Sequence, residues 1–290
     1  MTVQPGYLSL LASGQLSERI AQAAQALHEC HLCGNDCGID RTQQIGPCRI
    51  GESMVVASYG PHHGEEDVLS GWRGSGTIFF SGCNLHCVVC QNHDISQTTE
   101  GITVTPEQLA RIMLALQERG CHNINLVSPS HVAAHLVPAL AIAAQTGLHI
   151  PIVYNTGGYD AIQALSVMSG LVDIYMPDMK YSDACIGEKL SLVKDYPRIN
   201  QAAVREMHRQ VGDLVIDEHG LAQKGLLIRH LVLPCDLAGT TEVAKFLVED
   251  ISTHTYINIM AQYHPAYKAG QYTSEGFLLN RRITESEYVQ

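Results

Sequence analysis

The sequence predicts an α/β fold built on a parallel sheet, and three features carry that expectation. Apolar runs recur at regular intervals after residue 76. They are near-continuous rather than alternating, as in strands covered on both faces. Amphipathic helical stripes separate them, and right-handed crossovers would curl such a sheet. The runs are Gly76–Ser81, Asn123–Val127, Ile150–Tyr154, Val172–Met176, Leu226–Leu233 and Tyr256–Ala261. Six β/α units fit either a partial barrel or an open doubly wound sheet, and periodicity does not choose between them.

The helices follow from their end signals. Thr105-Pro106-Glu107-Gln108 supplies an N-cap, a proline at the first helical position and a capping box. Leu109, Ile112, Met113 and Leu116 then share one face, and Gly120 ends the helix. Similar stripes cover Ile199–Val211 and Thr241–Ile251. His131–Gln145 is apolar almost all round and is expected to be buried, with Pro138 as a possible kink. Residues 1–75 differ: a helix over Leu16–Glu29, a cysteine-rich loop, a short apolar run at Met54–Ser58 and a polar stretch at Gly60–Asp67. They are expected to form an N-terminal module packed on an α/β body of residues 76–290, too poor in large apolar residues to fold well without a metal.

Composition narrows the function. The formal charge is −11 over 290 residues, which disfavours a phosphate-backbone surface and so a nucleic-acid partner. No apolar run reaches the roughly 18 residues of a membrane span. The first residues lack the basic flank of a signal peptide, so a cytoplasmic location and no membrane partner are expected. Ten cysteines in such a chain point to metal or redox chemistry rather than disulfides. Seven fall in two groups; Cys121, Cys185 and Cys235 are scattered and read as core or loop thiols.

The second group is Cys83, Cys87 and Cys90, a C-x3-C-x2-C loop leaving the first strand at its carboxyl end. Functional groups of α/β sheets sit there. Three thiolates suit one face of a [4Fe–4S] cluster, which normally takes four and so keeps one iron open. Zinc completed by His86 or His93, or three unligated thiols, are the competing readings. The first group, Cys30, Cys33, Cys37 and Cys48, has the spacing C-x2-C-x3-C-x10-C, a metal signal in its own right. Glycine after Cys33 resembles a zinc knuckle, and the ferredoxin run is absent. Structural zinc therefore stands slightly ahead of a second iron–sulfur cluster. His62, His63, Glu65 and Glu66 between the groups read as a solvated loop, because no helical ligand pair is evident.

The cysteine loop on a six-unit β/α body resembles the radical S-adenosylmethionine superfamily. The longer likeness is to an uncharacterised branch of the pyruvate formate-lyase activating enzyme-like proteins. It rests on Gly60-Pro61-His62-His63-Gly64-Glu65-Glu66, on Gly74 through Asn84 and on Arg205 through Gly212, and extends from about Cys30 to Ile283. The resemblance implies a partial (β/α)6 barrel, with Cys83, Cys87 and Cys90 as catalytic cluster ligands and S-adenosylmethionine completing the cluster. It places Ser128 and Ser130 after the second strand, Asn155 and Thr156 after the third, Asp178 and Lys180 after the fourth, Arg229 in the fifth and His264 after the sixth as cofactor contacts. The chain departs from the pattern in two places. Val89 stands where an aromatic residue usually precedes the third cysteine, and the glutamate near Ser130 is missing.

Each contact has a plain alternative when taken singly. Asn-Thr-Gly-Gly is usually a turn, and a lone lysine is usually solvated. Arg229 inside an apolar strand is harder to dismiss, because an unpaired buried guanidinium is costly. The implied chemistry is reductive cleavage of S-adenosylmethionine, with an electron from a low-potential donor such as flavodoxin or ferredoxin, and hydrogen abstraction from an unknown substrate. That substrate is a protein or peptide by analogy with the activating enzymes, or else a small molecule. A reading of another class is a non-catalytic iron–sulfur or zinc carrier, which would neither bind nor cleave S-adenosylmethionine.

Overall fold

The computed structural model describes residues 4–274 and 276–289. Nine strands form its sheet: β1 Met54–His62, β2 Ser75–Phe80, β3 Ile102–Val104, β4 Ile124–Val127, β5 Ile152–Thr156, β6 Ile174–Pro177, β7 Val215–Ile216, β8 Ala222–Leu231 and β9 Tyr256–Met260. Strands β2, β4, β5, β6, β8 and β9 are parallel neighbours in that order. They are the six strands expected from the apolar runs. Their sequential order has no reversal point, unlike a doubly wound sheet.

The sheet is larger than the expected partial barrel, and mixed. Strand β1 pairs antiparallel with β2 over Val56–His62, and β3 pairs antiparallel with β1. Strand β7 forms a short antiparallel pairing with the first half of β8. The sheet does not close on itself. Because β1 hydrogen-bonds to β2, the sheet runs across residue 75, where the sequence suggested a boundary. Antiparallel edge strands of two or three residues have too little alternation to stand out from their loops.

Alternation along the strands separates two environments. Tyr154, Tyr175, Leu226 and Ile228 face the main core beneath the outer helices. Val153, Ile174, Met176 and Leu227 face inward and enclose Leu69 of the short helix Asp67–Ser70. The capping box forms as expected: Gln108 N donates to Thr105 Oγ1 at 3.3 Å, and Thr105 N donates to Gln108 Oε1 at 2.8 Å. Helix Ala133–Gln145 contains Pro138 and is buried on nearly every side. The N-terminal helix spans Leu16–His28, preceded by a helix Gly6–Ala12 that the sequence did not signal. Among the described residues, no helix is long and apolar enough to cross a membrane.

Candidate functional site

The carboxyl ends of the parallel strands surround a cavity of about 300 Å³, at the small end of the range of small-molecule sites. Cys83, Cys87, Cys90, Ser128, Asn155, Thr156, Asp178, Lys180 and Arg229 all line it. They come from five segments spread over nearly 150 residues of chain, so their meeting is a product of the sheet. Ser130 and His264 lie outside the lining. Ser130 Oγ is buried against Thr156 Oγ1 at 2.8 Å, and Thr156 in turn donates to Asp160 at 2.6 Å. His264 is exposed at the rim, where its Nδ1 faces Gln91 Nε2 at 3.3 Å.

The strand pleat sets the charged centre. Asp178 and Arg229 sit opposite each other just past the β6–β8 ladder. The Asp178 carboxylate accepts from Arg229 Nε at 3.0 Å and Lys180 Nζ at 2.7 Å. Arg229 also donates to Asn155 Oδ1 at 2.8 Å and lies 3.6 Å from Glu65. Burial raises the Asp178 carboxyl, but the two cations outweigh it and hold it below its ordinary range. Burial opposes the charge of Lys180, yet Asp178 keeps its ammonium titrating well above the usual lysine range. Tyr196 stiffens this corner: its hydroxyl donates to Gly157 O at 2.8 Å and accepts from Lys180 N at 3.1 Å.

The three thiols carry their own polar partners. Ser191 Oγ lies 3.0 Å from Cys87 Sγ, Ser96 Oγ 3.2 Å from Cys90 Sγ, and Leu85 N donates to Cys83 Sγ at 3.4 Å. Burial pushes the Cys83 thiol up to about 12, and burial also raises Cys87, with the Lys180 ammonium pulling the other way at both. Ligation by a metal is what stabilises the thiolates in such a place. His86 meets Gln97 at 3.0 Å and His93 stacks on Tyr267, so neither is committed to the cysteines. Among the described residues, no three His, Cys, Asp or Glu side chains are grouped tightly enough for one metal ion. That holds for both cysteine groups and so does not choose between zinc and a cluster at either; a cuboidal cluster takes each thiolate on a different iron. The donor set and its spacing fit a cluster.

Cys30, Cys33 and Cys48 are buried and Cys37 is half-buried. Their loop docks on the strand-end loops: Gly34 N donates to Tyr159 O at 3.2 Å and Asn35 Nδ2 to Asn84 O at 2.8 Å. Of the outlying cysteines, Cys121 is buried, Cys235 half-buried and Cys185 exposed.

Several neighbours escaped the sequence reading. Ser96 and Ser191 carry no pattern that ties them to thiols. Arg41 was findable in principle, as a basic residue inside a run of four cysteines. The stretch from His62 to Glu66 divides: the two histidines are exposed, whereas Glu65 turns under Arg229 and Glu66 accepts from Asn258 Nδ2 at 2.6 Å. The reason is Leu69, whose burial inside the sheet draws the preceding carboxylates with it.

Residues 70–162 match the model of a 4Fe-4S single cluster domain, a span that contains the three-cysteine loop. Over 279 residues the chain is 33% identical to an uncharacterised protein of Methanocaldococcus jannaschii, an alignment covering 94% of this chain and 75% of that protein. The chain belongs to the family of this archaeal protein, and the matched domain supports an iron–sulfur cofactor for it.

Proposed function

We propose that the chain is a radical S-adenosylmethionine enzyme. The observation that carries this reading is the single cavity that joins the three-cysteine loop to Asn155, Asp178, Lys180 and Arg229. A cluster held by Cys83, Cys87 and Cys90 alone keeps one iron without a protein ligand. The side of the cavity facing it offers charged and amide groups suited to a zwitterionic amino acid. When bound, such a cluster supplies the low-potential electron that cleaves S-adenosylmethionine to methionine and a 5′-deoxyadenosyl radical.

The chain's own residues bind and orient. Lys180, anchored by Asp178, presents an ammonium to the methionine carboxylate. Ser128 and the backbone beside it stand in for the absent glutamate toward the methionine amino group. Val89, Leu231, Leu233 and Met260 form an apolar wall of the same cavity, which supplies a seat for the adenine in place of a stacking aromatic. That wall also excludes water from the reacting atoms. The fold reading that goes with this is a partial barrel whose open flank admits substrate. The substrate is assigned as a protein or peptide, and the electron donor as a flavodoxin- or ferredoxin-like protein. The four cysteines of residues 30–48 are assigned a second metal, zinc or an iron–sulfur cluster.

The test is product formation. Reconstituted protein reduced with dithionite should convert S-adenosylmethionine to 5′-deoxyadenosine, and Cys87→Ala should abolish it. Undiminished conversion by that variant would overturn the assignment.

A further inference from the structure

We propose that Arg41 is the built-in counter-charge of the metal held by Cys30, Cys33, Cys37 and Cys48, and the strut through which that centre fixes the three-cysteine loop. The proposal rests on the assignment of a second metal to these cysteines and is independent of S-adenosylmethionine.

Arg41 is only 2% exposed. Its Nε donates to Cys30 Sγ at 3.4 Å and one terminal nitrogen to Cys48 Sγ at 2.9 Å. The remaining hydrogen bonds go to Ile50 O at 3.1 Å and to His131 O at 2.9 and 3.2 Å. No carboxylate is among these partners. A guanidinium does not deprotonate in proteins, so its charge must be answered where it stands. Burying it against neutral groups alone is costly.

The two sulfurs are the only partners that can become anions, and they do so as metal ligands. Four thiolates around a zinc ion or a [4Fe–4S]²⁺ core leave two negative charges, of which one guanidinium offsets half. Thiolate acceptors also make the two N–H···S bonds charge-assisted. Arginine suits the position because its planar fork reaches two sulfurs and two carbonyls together, which an ammonium does not.

The same side chain reaches the other cysteine group. His131, whose carbonyl Arg41 holds, places its ring Nε2 2.9 Å from Ser81 O, two residues before Cys83. Parallel ties run from Asn35 to Asn84 O and from Arg49 to Gln97 Oε1 at 3.2 Å. The module thus grips both ends of the segment Ser81–Gln97, and Arg41 lies at the root of one grip.

The experiment uses the full chain with Cys83, Cys87 and Cys90 replaced by alanine, loaded anaerobically with zinc or with iron and sulfide. Failure here therefore leaves the cleavage reading untouched. The expected result is about one zinc or about four irons per chain, which also identifies the metal. Arg41→Met, which fills the space without the charge, should weaken metal retention against a competing chelator roughly ten- to a hundredfold, the usual effect of losing a partner of the ligands. Arg41→Lys should lose less. Hydrogen exchange across Ser81–Gln97 should be faster in the metal-free parent than in the loaded one. A parent that binds no metal, or Arg41→Met retaining metal like the parent, overturns the proposal. Identical exchange with and without metal overturns the strut. Should Arg41→Met not fold, Arg41→Gln takes its place in the retention assay with the same expectation, and retention like the parent's overturns the counter-charge.

Discussion

Gly82 offers a sharp perturbation of the cysteine loop. It joins β2 to Cys83 at φ +76°, a conformation that L-residues avoid. A methyl group added there would stand 2.4 Å from Cys48 O, with Ile50 and the His131 ring at 3.3 and 3.4 Å behind it. Ordinary carbon contacts lie near 3.5 Å or more, so about 1 Å must be found. The obstacle is backbone in a packed core, so the relief has to come from the loop that carries Cys83. The left-handed backbone costs about 1–2 kcal/mol and the overpacking about 1–3 kcal/mol. Gly82→Ala should therefore lose about 2–5 kcal/mol in urea denaturation. It should also hold clearly less iron after reconstitution, because a ligand displaced by this much no longer meets its iron. A loss under about 1 kcal/mol together with undiminished iron would refute the steric argument.

Three other outcomes follow from the same packing and charge. Asp178→Ala strands Lys180 and leaves Arg229 with Glu65 and Asn155 alone. Because these side chains keep 18–26% of their surface exposed, the expected loss is about 2 kcal/mol, between surface and fully buried pairs. The double variant Asp178→Ala/Lys180→Met should recover part of it in the same denaturation assay. Burial pushes His131 and His135 down to about 4. The unfolded chain then binds more protons between about pH 6.5 and 4, so stability falls as pH drops through that window, by up to about 3 kcal/mol per histidine. Asp173, pushed up to about 6 by burial, acts with the opposite sign: its contribution is present at low pH and lost as pH rises toward 6. Urea midpoints across this range should fall toward acid, and His131→Gln should flatten the slope.

What the sequence disclosed and what it hid have physical causes. The six parallel strands are apolar on both faces, so their runs stand out even without alternation. Their ends carry Ser128, Asn155 and Asp178 one step past the last apolar residue, where functional groups of such sheets are expected, and all three line the strand-end cavity. The boundaries slid where proline intervened: the expected strand at Ile150 begins at Ile152, after Pro151. The apolar run Met54–Ser58 is the first half of β1, and its second half was hidden because Gly60, Pro61 and His62 look like a loop, yet they pair with β2 at the sheet's edge. Glu65 and Arg41 were hidden for a different reason. Glu65 lies more than 150 residues from Arg229, and Arg41, although close in sequence to Cys30 and Cys48, is also tied to His131 90 residues on; a buried charge is recognisable only once its burial and partners are known. Ser130 and His264 show the reverse limit, since a position matched by likeness alone does not fix which way its side chain faces.

Cys83, Cys87 and Cys90 are proposed to hold a cluster whose open iron takes S-adenosylmethionine. This is tested most directly by the electron paramagnetic resonance spectrum of the reduced, reconstituted protein before and after S-adenosylmethionine is added, with the spectrum of the variant lacking Cys83, Cys87 and Cys90 subtracted so that one centre contributes. A changed signal on addition is the predicted result, because the open iron gains ligands. An iron-loaded protein with the same spectrum before and after would contradict it.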